Sequence, residues 1–424
     1  VLGVIMYKKL NLSNDFNSTK LTKIIDNEYE NIDSYANLIG SANYAFPSVL
    51  EILNTPFNLN PAEGSIGKRF FPLCNGIDEL EVYGEKKLRE LFDIDDTYSA
   101  NLEPYSGTQA NQIVYNSILD KNDTVVAMNS KCGGHVSHHN FLKKYFNLIE
   151  YGIDENEIIN YKQIEDICRK YQPKLLVAGC SSYPRQIDYN VLGEICEKYN
   201  VKLLADISHT VIYIINKKHI SPFGIADFVT FTTHKTTRGI RGGIVIYKSK
   251  YKKIIDKSVF PYIQGAPKFN EILAKVVMLE ELLHTDINSY VSDILKITNT
   301  FVNHFNNNNL ILYTGGSDSH IITIDLSNNG LTGKQCEELL QSQHILVNRN
   351  SLPYDLLGPS ITSGIRIGTL SLATLKMNPN DYCKILDIII QTILQNKIVD
   401  CHSVENIMKK YNIINISNEE RQLK

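Results

Sequence analysis

The segment Asp227–Gly243 reads DFVTFTTHKTTRGIRGG, and the rest of the chain is interpreted around it. Residues 227–233 are rich in β-branched and aromatic side chains, which predicts a strand. The residues after Lys235 contain too many glycines for a helix, so the strand is predicted to end at His234-Lys235. Burial and nearby cations lower the pKa of a lysine, and the neutral amine then attacks carbonyl groups. Lys235 is therefore a candidate Schiff-base lysine, although a lone lysine in a basic loop is more often a surface residue.

Strand-like runs alternate with helical patterns through the middle of the chain. The predicted strands are Thr124–Met128, Lys174–Cys180, Lys202–Asp206 and Asp227–Thr233, with Gly242–Tyr247 as an antiparallel return strand. Alternating strands and helices predict an α/β fold with a mainly parallel sheet, and ligands gather at the carboxyl ends of such strands.

Composition excludes several classes of protein. The 424 residues are too many for one compact core, the net charge of −3 argues against a general nucleic-acid surface, and no apolar run is long enough to span a membrane. The eight cysteines include no CxxC pair, so neither a metal site nor a disulfide framework is predicted. We expect a reduced, cytoplasmic protein that opens without a secretory signal.

Two polar clusters stand at ends of predicted elements. Ser106-Gly107-Thr108 precedes a helical pattern, where backbone N–H groups can bind an anion, although helix capping alone would explain these residues too. Asp206 ends a strand, where ligands gather in such a sheet, with a helix N-cap as the alternative reading.

The segment around Lys235 resembles the pyridoxal-phosphate (PLP) lysine segment of serine hydroxymethyltransferases, and the resemblance extends from about Leu38 to Leu370. It implies a fold-type I PLP-dependent enzyme in which Lys235 carries PLP as an internal aldimine. Such a fold has a large domain with a mainly parallel seven-stranded sheet and a smaller α+β C-terminal domain. We expect an N-terminal arm and helix at residues 1–45, the large domain at 46–283 and the small domain at 284–424.

The same resemblance implies roles for individual residues. Lys235, Glu63 and His234 would be catalytic, with Glu63 taking part in proton transfer. Ser41 and Arg366 would bind the substrate carboxylate, and Asn350 would contact folate. The implied cofactor-binding residues are Ser106, Gly107, Thr108, His135, Ser181, Asp206, His209, Thr232, Lys235 and Gly265. His135 would stack on the pyridine ring, whereas His138 and His139 are expected to be solvated loop residues.

The chain departs from the family pattern mainly at substrate and folate positions. Pro61, Phe70 and Phe71 stand where the family has tyrosines, so three hydroxyl groups are lost. Further departures occur at Ala42, Ser130 and Ala266.

The implied reaction makes or breaks the Cα–Cβ bond of a β-hydroxy α-amino acid through an external aldimine and a quinonoid, as in serine–glycine interconversion with tetrahydrofolate. The departures keep a folate-independent threonine aldolase or transaldolase open as the alternative, and a PLP-binding pseudoenzyme as a third. The segments Glu63–Phe71 and Gln264–Pro267 cross the subunit interface in the family. The resemblance therefore implies a homodimer with shared active sites, acting on a small amino acid, with neither nucleic acid nor membrane as partner.

Toward the C-terminus the patterns predict one long helical stretch near residues 268–308, strands at Leu310–Tyr313 and His320–Leu326, a helix from Thr332 to Gln343 and a turn at Asn348–Pro353. Residues 1–36 read as an arm and helix, and roughly the last 15 residues are expected to fray.

Overall fold

A computed structural model describes residues 19–411 of the chain. The strands in chain order are β1 (Ala36–Asn37), β2 (Gly64–Ser65), β3 (Lys68–Arg69), β4 (Tyr98–Asn101), β5 (Thr124–Met128), β6 (Asn147–Tyr151), β7 (Leu175–Ala178), β8 (Lys202–Asp206), β9 (Phe228–Thr232), β10 (Gly243–Lys248), β11 (Ile311–Leu312), β12 (Ile321–Asp325), β13 (Ile345–Leu346), β14 (Asn348–Asn350) and β15 (Gly364–Gly368). The α-helices are α1 (Thr19–Ser34), α2 (Pro47–Ile52), α3 (Asn75–Phe92), α4 (Gly107–Ile118), α5 (Asn140–Tyr145), α6 (Tyr161–Tyr171), α7 (Tyr189–Tyr199), α8 (Val211–Ile215), α9 (Lys252–Lys257), α10 (Phe269–His284), α11 (Ile287–Asn307), α12 (Gly333–Gln341), α13 (Leu370–Thr374), α14 (Pro379–Gln395) and α15 (Ser403–Met408).

A seven-stranded sheet with the order β4-β10-β9-β8-β7-β5-β6 forms the centre of the large domain. Only β10 runs antiparallel to its neighbours in this sheet, so the predicted mainly parallel sheet with one return strand is confirmed. Alternate residues of β5 enter two different apolar cores, with Val126 in one and Val125 in the other. Side chains of a strand alternate between the sheet faces, and both faces of this sheet are covered, which is why its strands are continuous apolar runs.

A second, antiparallel sheet with the order β11-β12-β15-β14 forms the core of the C-terminal region. The predicted turn at Asn348–Pro353 is wrong in its first half, because Asn348–Asn350 pairs with β15 and places Asn348 opposite Arg366. The chain turns only at Pro353 and Tyr354. The pairing brings β14 to the edge of the cleft described below.

The single helical stretch predicted near residues 268–308 is two helices, α10 and α11. Thr285 has an extended backbone with ψ 140° and ends α10. The Asp286 side chain then accepts a hydrogen bond from the Ser289 backbone N–H over 3.0 Å, which caps the start of α11.

Among residues 19–411, none of the helices has the length and apolar character needed to cross a bilayer. The predicted N-terminal helix is present as α1, whereas the arm before Thr19 and the expected fraying after Tyr411 lie outside the described residues.

Candidate active site

A cleft of about 570 Å³ opens at the carboxyl ends of β8 and β9. Most of the predicted site residues line it, namely Ser41, Ser106, Gly107, Thr108, His135, Ser181, Asp206, His209, Thr232, His234, Lys235 and Arg366. Asn350, the predicted folate contact, lines it too, and additional lining residues are Tyr105, Val136, Cys180, Ser208, Arg241, Gly242 and Asn348. Thirteen predicted positions scattered over more than 300 residues of sequence therefore converge on one cavity.

Lys235 lies on the cleft wall with only 5% of its surface exposed. Its Nζ atom is 3.1 Å from Nε2 of His209. Burial and the Arg366 guanidinium lower the pKa of the lysine to about 8, although Asp206 opposes this effect. A useful fraction of the amine is therefore neutral near pH 7 to 8, as a nucleophilic lysine requires.

The backbone around Lys235 is held from two sides. Its carbonyl oxygen accepts a hydrogen bond from Asn43 Nδ2 over 2.8 Å. The carbonyl oxygen of Thr233 accepts bonds from the Gly239 N–H at 2.7 Å and from the Thr237 hydroxyl at 2.8 Å. The Gly-rich segment thus folds back as a tight turn that fixes the direction of the lysine side chain.

Asp206 ends β8 and is surrounded by hydrogen-bond donors. Its Oδ2 atom lies 2.8 Å from Asn111 Nδ2 and 3.0 Å from His138 Nε2, while Oδ1 accepts the Ser208 hydroxyl at 2.6 Å. Burial alone would raise the pKa of this carboxyl group, but the bonds from His138 and Asn111 outweigh it and lower the pKa. Asp206 therefore presents a fixed negative charge to the cleft.

The expectation that His138 and His139 are solvated is wrong. His138 is fully buried and contacts Asp206, as described above. His139 is also buried; its Nε2 lies 2.6 Å from the Met128 carbonyl oxygen and its Nδ1 lies 2.7 Å from a carboxylate oxygen of Glu150. Both histidines lie beneath the cleft lining. The loop that carries them packs against the carboxyl ends of β5 and β8 and does not extend into solvent.

The start of α4 forms a cradle of suitable shape for an anion. Ser106 caps the helix by accepting the Gln109 N–H over 3.1 Å, which is the alternative that the sequence left open. A Cβ atom on Gly107 would lie 2.5 Å from Thr232 Cγ2, so only glycine lets this turn approach the strand end so closely. Among the described residues, Thr232 Oγ1 and His234 Nδ1 are buried without a hydrogen-bond partner, which is expected where a polar ligand completes the site.

His135 and His234 both line the cleft. Burial lowers the pKa of His135 to about 4, and its Nδ1 lies 2.7 Å from the Ser137 hydroxyl. Burial and the adjacent Lys235 and Arg241 lower the pKa of His234 to about 3. Both rings are therefore neutral near pH 7, and a neutral ring at His135 is suited to stacking on another aromatic ring.

Arg366 on β15 reaches the cleft from the small domain. It donates to the Ser181 carbonyl oxygen over 2.6 Å and to Asn348 Oδ1 over 3.0 Å. Both acceptors are neutral, and burial lowers the pKa of the guanidinium group to about 10. Among residues 19–411, no carboxylate forms an ion pair with Arg366, so the arginine retains capacity for an anionic ligand.

Glu63 and Gly265 do not line the cleft within this chain. They lie beside each other, since a Cβ atom built on Gly265 would be 3.5 Å from Glu63 Oε1. Their predicted roles, catalytic for Glu63 and cofactor-binding for Gly265, remain predictions.

A buried lysine with a lowered pKa at a strand end, a buried carboxylate on the neighbouring strand and small polar residues at a helix start are the arrangement of one class, the fold-type I PLP-dependent enzymes. The family model described as serine hydroxymethyltransferase matches residues 15–389, and the chain belongs to that family. Its members are PLP-dependent transferases that use tetrahydrofolate as co-substrate.

The cleft residues fit PLP. Lys235 would hold its aldehyde carbon, the Ser106-Gly107-Thr108 cradle its phosphate, His135 one ring face and Asp206 its ring nitrogen. When bound, PLP supplies an electron sink for charge that develops at the substrate Cα.

Sequence reasoning missed Asn111 and His138 as partners of Asp206, and it missed His320, described below. Asn111 lies one helical turn after Gly107, so both residues are on the face of α4 that is turned toward the cleft.

Proposed function

We propose that the protein makes or breaks the Cα–Cβ bond of a β-hydroxy α-amino acid, in the manner of serine–glycine interconversion with tetrahydrofolate. The observation that carries this proposal is the pairing of Arg366 with neutral groups only, in the same cleft as Lys235. A planar guanidinium group binds a carboxylate through two parallel hydrogen bonds, so an amino acid substrate would be oriented by its α-carboxylate.

Each protein group has a separate task in this proposal. The negative charge of Asp206 would keep a proton on the ring nitrogen of bound PLP. Lys235, with its pKa lowered to about 8, can both release and accept a proton in the working pH range. Ser41 lines the cleft and is available as a second donor to the substrate carboxylate.

The direct test is the absorbance of bound PLP with glycine, measured with and without tetrahydrofolate. Strong enhancement of the glycine-dependent spectral change by folate supports hydroxymethyl transfer. A full glycine response that ignores folate contradicts it and favours the second candidate.

That second candidate is a folate-independent threonine aldolase or transaldolase, which would join the glycine-derived carbanion to another aldehyde. The observation that favours it is the apolar surface at two tyrosine positions, since Phe70 is 73% exposed and Phe71 is 39% exposed in the single chain. The ring centroids of Phe70 and Phe260 are 5.6 Å apart. Phenylalanine in place of tyrosine at position 70 therefore extends an aromatic patch and leaves no hydroxyl there. Such a patch would accommodate a larger, apolar aldehyde.

A PLP-binding pseudoenzyme is the third and weakest candidate. The retained lysine, carboxylate and arginine argue against it, because a protein that only holds PLP has no use for a free cation at Arg366. Turnover of any amino acid above the background of free PLP would exclude it.

We also propose a homodimer with shared active sites. Glu63 and Gly265 lie outside their own cleft, and exposed apolar residues occur in the same segments, including Phe57, Leu59, Phe70, Leu73 and Tyr262. A second subunit would cover these side chains and receive Glu63.

A further inference from the structure

A buried hydrogen-bonded chain leads from Lys235 away from the cleft. Nε2 of His209 lies 3.1 Å from Lys235 Nζ, and Nδ1 of the same ring lies 3.2 Å from Nε2 of His320. The two imidazole rings are stacked, with centroids 5.4 Å apart. His320 is fully buried and His209 is 5% exposed.

The contact of His320 with Gly40 fixes the direction in which these hydrogen bonds are donated. Nε2 of His320 also lies 3.1 Å from the carbonyl oxygen of Gly40. A carbonyl oxygen can only accept, so His320 must carry its proton on Nε2 to satisfy it. Nδ1 of His320 is then an acceptor, and it faces the Tyr213 hydroxyl at 3.2 Å.

The tautomer of His209 follows from that of His320. If His320 donates from Nε2, the facing Nδ1 of His209 must accept, and a neutral His209 carries its proton on Nε2. Burial and nearby cations lower the pKa of both histidines, to about 3 for His320, so both rings are neutral near pH 7. His209 therefore points an N–H toward Lys235 Nζ, and a neutral amine is the form of lysine that accepts it.

A charged Lys235 would require the opposite arrangement. Its ammonium group would donate to Nε2 of His209, whose Nδ1–H would then donate to Nε2 of His320. That nitrogen could no longer donate to Gly40, and the buried carbonyl would lose the hydrogen bond that His320 supplies, at a free-energy cost. The Gly40 carbonyl thus disfavours the protonated form of Lys235, and the effect passes through the imidazole rings of His320 and His209.

We propose that His320 is a positioning residue that, anchored on the Gly40 carbonyl, fixes the tautomer of His209 and keeps Lys235 ready as a neutral amine. Gly40 precedes Ser41, the candidate substrate residue, so the same anchor connects the segment that faces the substrate to the lysine that holds the cofactor. The inference deepens the proposed function and rests on covalent attachment of PLP to Lys235. In that step the lysine nitrogen bonds the aldehyde carbon and one water leaves.

The test measures the rate at which full-length, cofactor-free protein captures PLP, as a function of pH. His320→Leu removes the donor to His209 and should raise the pH midpoint for capture by about one unit, which slows capture near pH 7 by about tenfold. His320→Gln keeps an N–H donor that can serve both Gly40 and His209. Its pH midpoint for capture should therefore lie close to the wild-type value. Tyr213→Phe is the matched control, because it removes a hydroxyl from the same stack but leaves the Gly40 anchor.

A midpoint for His320→Leu equal to that of wild type would overturn the inference, and so would equal shifts in the Leu and Gln variants. If His320→Leu does not fold, ¹⁵N chemical shifts of the wild-type histidine rings decide the question, with His209 assigned from a His209→Gln variant. A proton on Nε2 of His209 is expected, and a proton on Nδ1 would overturn the inference. Failure of wild-type protein to attach PLP at Lys235 would instead refute the proposed function, and the tautomer measurement would still stand.

Discussion

The guanidinium group of Arg366 donates a hydrogen bond over 2.6 Å to the main-chain carbonyl oxygen of Ser181, which joins the small-domain sheet to the loop after β7. This contact aims a buried cation into the cleft without neutralising it. The position of the arginine therefore depends on neutral groups, and its charge is left for a ligand.

Replacing Arg366 with alanine should weaken amino acid binding far more than PLP binding. Loss of a desolvated, charge-paired contact costs about 2–5 kcal/mol, which corresponds to a loss of affinity of roughly 30-fold or more. Titration of bound PLP with glycine measures the effect. Arg349→Ala is the control, since that arginine also lies on the small-domain sheet but pairs with Glu337. A loss confined to PLP affinity would refute the assignment.

Lys235→Ala should abolish covalent attachment of PLP and leave the fold intact. Borohydride reduction of wild-type protein followed by mass spectrometry should place the pyridoxyl group on Lys235. A second buried lysine, Lys275, is an internal control: its Nζ donates to the carbonyl oxygens of Leu102 and Pro104 at 2.6 and 2.7 Å and should stay unmodified. A label on any other lysine contradicts the assignment.

His320 should make stability depend on pH. Its folded-state pKa of about 3 lies below the ordinary value of about 6.5, so between these two pH values the unfolded chain binds a proton that the folded chain does not. Stability should therefore fall as pH decreases through this window, by at most about 1.4 kcal/mol per pH unit for this residue.

Urea unfolding of cofactor-free protein at several pH values, at one fixed protein concentration, measures that slope. His320→Gln should make the slope shallower, whereas replacement of the exposed His402 should change it less. An unchanged slope in His320→Gln would show that folding does not lower the pKa of this ring.

Shared active sites predict complementation between inactive variants. In a mixed dimer of Lys235→Ala and Glu63→Gln subunits, one of the two sites receives both native residues. Random assembly should therefore restore about a quarter of the wild-type sites. Co-expression with two different affinity tags isolates the mixed dimer for assay. An active monomer in sedimentation, or no recovery in a confirmed mixed dimer, would contradict the shared site.

The missing tyrosine hydroxyls predict weak serine hydroxymethyltransferase activity. A hydroxyl lost from a tight polar site costs about 1–3 kcal/mol when its partner stays unpaired. Two such losses, at Pro61 and Phe71, would slow a serine reaction by about one to four powers of ten. Serine with tetrahydrofolate should be assayed beside threonine and a panel of aldehydes with glycine. If serine with folate runs fastest, the argument for a reshaped substrate site is wrong.

The sequence by itself determined five of the seven strands of the large sheet and the glycine-rich turn after Lys235, whereas β4 and β6 were not predicted. These features depend on local patterns: apolar strand runs, a lysine at a strand end and a helix start with small polar residues. Asp206 was recognisable because it ends a predicted strand, whereas Arg366 was identified only through the family resemblance, since no strand was predicted at β15. The break between α10 and α11 was missed, since Asp286 acts as a cap only when the preceding Thr285 is extended.

Only the tertiary structure decided what lies behind the cleft. His138 was assigned to solvent because a polar loop gives no local sign of burial, yet it bonds to Asp206 from 68 residues away along the chain. The contact between His209 and His320 spans 111 residues, and the one between His320 and Gly40 spans 280. Hydrogen bonds over such separations depend on how the two domains pack, so no periodicity or short motif can predict them.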